Sequence, residues 1–284
     1  MEQHHQSAQG GRVSTVLGRR LGGELLKLRS AAGLTQGQAA KVLSASTGKI
    51  AKMESGWAPM RDPDIRALCA LYGADDPAIV GGLLELARVD RERRKAKGWW
   101  SDAPFSPTMK EYAVLESAAT AIRTWQLALV PGLLQTAEYV RALNPDDHFV
   151  TARLARQRRL VEEPLLRLEA VVHEAVLRNL VGGTDVMRGQ LEHLTSMAQR
   201  SNVSVKVLPF GAGFQTGMGC GFSVISFAEP GAMDVLYMDV PLHPLWREGG
   251  EGAAEHSELF ERIARQALRE RDSLAFISSL SKEL

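Results

Sequence analysis

Apolar residues recur at helical spacing from Val16 to Arg29, where Leu17, Leu21, Leu25 and Leu28 form an inward stripe that Ser30-Ala31-Ala32-Gly33 ends with a glycine stop. A shorter stripe of Leu34, Ala39, Val42 and Leu43 surrounds Thr35, whose hydroxyl is placed to cap the free N–H groups of Gln36 to Gln38. Ser44 and Ala45 break that pattern. Ser46 offers a second cap, from which a helix over 47–54 runs with Ile50 and Met53 inward. After a loop over 57–63, Ile65, Leu68 and Leu71 predict a fourth helix over 64–72, and Asp75-Asp76-Pro77 opens a fifth that runs on to Lys97. These five helices make one small helical domain.

The second part of the chain mixes two periods. Tyr112, Leu115, Ala119 and Ile122 share one face of a predicted helix over 109–125. Pro131 pushes Val130 to an extended conformation, Gly132 completes a turn, and helix resumes over 133–143. A basic helix over 150–162 carries Arg153, Arg156, Arg158 and Arg159, read as a salt-bridged face. Leu166, Leu168, Ala170 and Val172 then alternate along a strand, and Thr184 caps a helix lined by Val186, Met187, Leu191 and Leu194. Strands follow over 203–208, 222–227 and 235–238, and helices over 257–268 and 273–280 close the chain. The fold class is mainly α with an α+β second domain, in which a small mixed sheet of four strands is packed by helices.

The two short helices around residues 33–56 carry the clearest chemistry. With Ile50 and Met53 inward, Thr47, Gly48, Lys49, Ala51 and Lys52 face away from the core. A major groove admits one helix presented by its N-terminal residues while a partner helix crosses the backbone. Short side chains at Thr47, Gly48 and Ala51 allow close approach, and Lys49 and Lys52 reach guanine edges or phosphates. Gln36 and Gln38 are placed to bond the flanking phosphate and brace the reading helix. The candidate DNA-binding set is Gln36, Gln38, Ser46, Thr47, Gly48, Lys49, Lys52 and Arg61, with Arg19, Arg20 and Arg29 as further candidate phosphate contacts. The alternative is a helical hairpin with no nucleic-acid role.

The segment LTQGQAAKVLSASTGKIAKMESG resembles the phage-repressor (Xre-type) helix-turn-helix family, in which a Gln follows the first cap and E-x-G ends the reading helix. Gln36, Glu54 and Gly56 match; Gly48, a poor helix former, departs from the pattern. Further on, KGWWSD, EYAVLESAATAIRTWQ, ALVPGLLQTAEYVRAL, RLARQRRLVEE, HEAVLRNLVGG, VSVKVLPF and VLYMD are similar to the DUF5753 effector domain. That domain follows an Xre-type head in bacterial regulators of the WhiJ-like and Scr1-type antitoxin-like groups. The resemblance implies a lambda-repressor-like all-helical head and a small DUF397-type partner protein bound by the second domain. It divides the chain into a tail over 1–14, a helix-turn-helix domain over 15–76, a linker helix over 77–98 and an effector and dimerisation domain over 99–284.

Composition sharpens this division. Residues 1–98 hold 16 Lys and Arg against 10 Asp and Glu, whereas residues 99–284 hold 18 against 23. A basic head on an acidic body suits a double-stranded DNA reader whose second part does other work. The basic run over 91–97 reads as a solvated linker helix, with phosphate contact or a spacer between two heads as the functional alternative. No apolar run is long enough for a membrane span, and the tail lacks a signal-peptide core. The two cysteines, Cys69 and Cys220, suggest no disulfide framework, so a cytoplasmic setting is expected.

The second domain offers one candidate small-molecule pocket. His173 and Glu174 at one strand end, Tyr237 and Asp239 at another, and Phe214 above them are expected to converge. The family pattern often has a His where Phe214 stands. The glycines from Gly211 to Gly221 do not follow a strand into a helix N-terminus, which argues against a phosphate cradle. The remaining histidines show no metal-ligand spacing, no nucleophile–base set suggests itself, and no cofactor is expected. The sequence therefore predicts a dimeric transcription regulator reading a palindromic operator and controlled through its second domain by the small partner. A small-molecule sensor and an enzyme on an inherited scaffold are the alternatives.

Overall fold

The structure is a computed structural model and describes residues 15–95, 101–228, 234–238, 245–248 and 251–284. The chain divides into two compact units between residues 96 and 97. No described helix is long and apolar enough to cross a membrane.

The first unit has helices α1 (Val16–Ala31), α2 (Gln36–Val42), α3 (Thr47–Glu54), α4 (Asp62–Tyr72) and α5 (Pro77–Lys95). Thr15 caps α1 by accepting the Gly18 N–H at 3.0 Å, and Gly33, at φ +67°, turns the chain after it. Val16 rather than Leu17 is buried at the helix start. Leu21, Leu25, Ile50, Met53, Ile65 and Leu68 meet in one core. The fifth helix, read above as a linker, adds Leu83 and Ala87 to that core, so its apolar stripe belongs to the head.

The closest packing in the head is between backbones. A Cβ built on Gly22 would lie 2.3 Å from the Glu54 carbonyl oxygen and 2.4 Å from that of Met53. One on Gly56 would lie 2.4 Å from the Arg19 nitrogen, and Gly56 itself sits at φ +75°. Gly22 therefore receives the last turn of α3 with no side chain between them, and Gly18, one turn earlier on α1, leaves room for the Gly56 carbonyl and the side chains around it.

The second unit is built on a sheet of six described strands in the order β3-β2-β1-β4-β5-β6. These are β1 (Ala121–Gln126), β2 (Arg167–His173), β3 (Val203–Leu208), β4 (Phe222–Ser226), β5 (Val235–Met238) and β6 (Leu245–Glu248). The first three run parallel; β4 to β6 are antiparallel to their neighbours. The helices are α6 (Pro107–Ala118), α7 (Ala137–Leu143), α8 (Asp147–Gln157), α9 (Glu174–Arg178), α10 (Thr184–Met197), α11 (Glu251–Gln266) and α12 (Glu270–Glu283).

Strand β1 is the main correction to the sequence reading. The helix expected over 109–125 ends at Ala118, where Ala119 turns extended at ψ 148°, and β1 follows as a central strand. Ile122 and Thr124 alternate with Arg123 and Trp125 there, but the small-residue run over 117–121 is equally compatible with helix and hides the change of period. Strand β6 was also not anticipated. Two helix starts differ: α7 begins only after a 3₁₀ turn over 132–134, capped by Thr136, and α10 is preceded by Gly183 at φ +90° in place of a Thr184 side-chain cap.

The sheet has two distinct faces. Trp125, Val171, Phe222 and Val224 join Phe260 and Ile263 of α11 in an apolar core. Opposite residues share a face, so the registers Ala170–Thr124–Ser223–Tyr237 place those four on the other side, where Tyr112 of α6 packs against Tyr237.

Two tests follow from this packing. Gly22→Ala must push α3 off α1 and is expected to destabilise the head by roughly 1–3 kcal/mol. Gly48→Ala, facing open space except for Ser46 Oγ at 3.9 Å, is expected to stabilise it by up to about 1 kcal/mol; urea titrations of both variants check the opposite signs. His193 is held below its ordinary pKa by burial, and its Nε2 has no partner. A depressed histidine pKa gives stability that is present above the unfolded value of about 6.5 and lost as pH falls toward the folded one. Acidification from pH 7.5 to 5.5 should therefore lower the urea midpoint less in His193→Gln than in wild type.

Candidate functional site

Local hydrogen bonds set the geometry of α2 and α3. Thr35 Oγ1 accepts the Gln38 N–H at 3.3 Å while Gln38 Oε1 accepts the Thr35 N–H at 2.8 Å, a reciprocal capping box. At the other end of α2, Ser44 takes a left-handed φ of +47°, its N–H reaching the Lys41 carbonyl at 3.1 Å and that of Ala45 the Ala40 carbonyl at 2.9 Å. This closes the helix in the usual paired-bond manner with Ser where glycine is commonest. Two residues later Ser46 Oγ accepts the Lys49 N–H at 3.2 Å and starts α3. The tight turn thus follows from a stop and a start placed almost back to back.

Beneath α3, Ile50 and Met53 are each 1% exposed. Glu54, at its last turn, joins three segments. Arg29 of α1 grips its carboxylate through Nε at 2.6 Å and Nη2 at 3.0 Å, and donates through Nη1 to the Leu34 carbonyl at 2.7 Å. Gln36 Nε2 donates to the same carboxylate at 2.8 Å. The Glu54 hydrogen bond, against the opposing effect of burial, raises the Arg29 pKa. Burial and the Glu54 charge push the Tyr72 hydroxyl up to about 12. Gln36 therefore braces α3 from within the protein, and Arg29, offered above as a phosphate contact, is largely buried against Glu54.

The remaining predicted residues sit as follows. Thr47, Gly48, Lys52 and Gln38 are exposed; Lys49 and Ala51 are half-buried. The Ser46 hydroxyl is engaged as a cap. Arg61 is exposed and bonded to Asp64 at 3.1 and 3.2 Å. Among the described residues, Lys49 and Lys52 have no acidic partner. Two uncommitted cations on the outward side of a helix held rigidly from beneath can meet phosphate or base edges.

The second-unit pocket does not assemble as expected. His173 lies three residues beyond Ala170 on β2, and side chains alternate along a strand, so it falls on the opposite face of the sheet from Tyr237. Strands β1 and β4 also intervene, a separation of roughly 14 Å at the usual strand spacing. The His173 ring stands between Trp125 at 6.2 Å and Phe210 at 5.2 Å. Burial pushes the Glu174 carboxyl up, but the Phe210 N–H at 2.8 Å and Arg178 at 2.6 Å outweigh it and leave the group below its ordinary value. Glu174 is thus a satisfied buried carboxylate. Phe214 is 85% exposed, and Asp239 lies outside the described residues.

The face that carries Tyr237 is polar within. Thr124 and Ser223 share a hydrogen bond at 2.9 Å, and Gln126 donates to Thr124 at 3.0 Å. Burial pushes the Tyr112 hydroxyl up to about 12, with the Glu116 charge adding to it. Arg156, one of the arginines read as a salt-bridged face, is buried and pairs with Glu116 through two contacts of 2.7 Å. The cavity between these groups is about 40 Å³, room for a water rather than a metabolite.

A basic-faced helix fixed by its underside, after a tight turn and a bracing helix, defines the class of helix-turn-helix proteins, and this domain points to DNA-binding regulation. Residues 20–80 match a helix-turn-helix domain and residues 109–279 match the family described as a domain of unknown function, DUF5753; the chain belongs to the DUF5753 family. No curated protein and no solved structure matches it.

Breaking the Glu54 network leaves a charge without its partner. Arg29→Met is expected to cost about 3 kcal/mol of head stability, the usual range for orphaning a buried ion pair, whereas Glu54→Gln, which retains a polar acceptor, costs less; chemical denaturation of the two variants gives the comparison.

Proposed function

We propose that this chain is a sequence-specific, DNA-binding transcription regulator that acts as a dimer. The reading is carried by α3: its underside is fixed by Ile50, Met53 and Glu54, and its outer side presents Thr47, Gly48, Lys49 and Lys52. The exposed Gln38 and Arg61 flank it as phosphate contacts, and Gln36 and Ser46 hold it in place. Two heads on a two-fold axis read a palindromic operator in successive major grooves, and the acidic second unit supplies dimer contacts. Its resemblance to effector domains of antitoxin-like regulators supports a small DUF397-type partner as the signal. Partner binding favours a dimer whose head spacing no longer fits the half-sites. No catalytic step is proposed.

The test is binding of the full chain to its own upstream DNA across a salt series, with and without the small partner. Specific binding that the partner abolishes supports the whole reading; specific binding indifferent to it removes the partner; equal affinity for all DNA removes the regulator. Within that assay, Lys49→Ala or Lys52→Ala is expected to cost roughly 1–3 kcal/mol on the operator and to relax specificity. Equal losses on operator and random DNA would instead assign the lysine to phosphate.

A further inference from the structure

Two arginines of the basic run at the end of α5, Arg91 and Arg94, are turned against the protein, while Glu92 and Lys95 are exposed. Arg94 turns inward: its Nη2 donates to the Gly56 carbonyl at 2.6 Å and to Thr15 Oγ1 at 2.8 Å, and its Nε pairs with Asp90 at 2.7 Å. Asp90 is 1% exposed and accepts the Thr15 hydroxyl. Three residues earlier, Arg91 donates to the Met60 carbonyl at 2.7 Å and pairs with Asp62 at 2.8 Å. Gly56 is the left-handed residue just past the end of α3, and its carbonyl, which also accepts the Thr15 N–H at 3.4 Å, joins the start of α1 and the end of α5 to the chain leaving the reading helix. Gly18 makes the space: a Cβ there would lie 2.6 Å from Arg94 Nη2 and 2.9 Å from the Gly56 oxygen.

We infer that Arg94 and Asp90 are positioning residues for DNA reading, and that α5 fixes the attitude of α3 through this clamp. The inference rests on the reading of α3 as a DNA-contacting helix. The guanidinium bridges an acid on its own helix to a carbonyl two residues past the end of α3, while Thr15 fixes the start of α1 to the same acid. Losing any one partner frees the end of α3 without touching Thr47 to Lys52. Largely buried against the Gly56 carbonyl, the Thr15 hydroxyl and the Asp90 carboxylate, Arg94 is not presented to phosphate, so its loss affects the alignment of base contacts more than the charge the head offers.

The charge of Asp90 makes a decisive test. Asp90→Asn raises the net charge of the head by one, and simple electrostatics predicts tighter binding to every duplex. Positioning predicts the reverse on a specific site. The probes are a duplex selected from a randomised library by the wild-type full chain and a scrambled duplex of the same composition, each titrated across a salt series. Asp90→Asn and Arg94→Gln are expected to lose about tenfold on the selected duplex and little on the scrambled one, with the wild-type salt slope retained, because a residue that makes no phosphate contact takes no counterion release with it. Equal or tighter binding of the selected duplex by Asp90→Asn, or a salt slope lower by about 1 in Arg94→Gln, the signature of a lost phosphate contact, overturns the inference. Circular dichroism at the assay temperature establishes that each variant is folded; Thr15→Val, which removes one partner without changing charge, carries the same test where a charge variant unfolds. A wild-type chain that selects no sequence overturns the DNA reading and the positioning role together, whereas a selective wild type with indifferent variants overturns only the latter.

Discussion

The head depends on one close approach, that of the last turn of α3 to α1 at Gly18, Gly22 and Gly56. Side chains of ordinary size hold helix axes about 8–10 Å apart, and here the missing Cβ atoms bring backbone against backbone. At that distance the last turn of α3 meets α1 through atoms that have no rotamers. The polar groups around the contact then become possible: Glu54 comes within reach of Arg29 and Gln36, and the Gly56 carbonyl within reach of Arg94. Each replaces water at a helix end that would otherwise carry unpaired carbonyls or a lone carboxylate. The order of dependence runs from backbone proximity to polar closure to a rigid outward face.

In the second unit the corresponding constraint is burial of β1 on both faces. Trp125 on one side and Thr124 on the other begin an apolar core and a polar layer from a single strand. The polar layer must satisfy itself. Thr124 with Ser223, and Arg156 with Glu116, do so almost entirely, leaving the small cavity described above. A layer so closed specifies the packing of α6 and α8 on the sheet rather than offering a site for a metabolite at this place.

What was legible in the sequence was local. Thr35, Ser46 and the inward pair Ile50 and Met53 lie within a few residues of what they contact, so spacing alone located them and the reading helix with them. The strand β2 was legible for the same reason, through its alternation, and β3, β4 and β5 as short runs rich in apolar residues. Strand β1 was not, because the residues ahead of it are small and suit either period. The pocket at His173 and Tyr237 failed on a different ground: each residue is near a strand end, but which face it occupies depends on strand order and register, which no local pattern carries. Gly22 and Arg94 were missed because their partners are about thirty and forty residues away, and a glycine or an arginine on a predicted helix reads by default as indifferent or solvated.

Those long-range contacts also differ in kind from the core that supports α3. The last turn of α5 carries Arg94, whose guanidinium joins that helix to the residue just past α3. A clamp of a few charge-assisted hydrogen bonds contributes on the order of 1–3 kcal/mol each. The apolar core beneath α3, by contrast, would have to unpack to move. A polar latch at the helix end can therefore loosen while the core of the head stays packed.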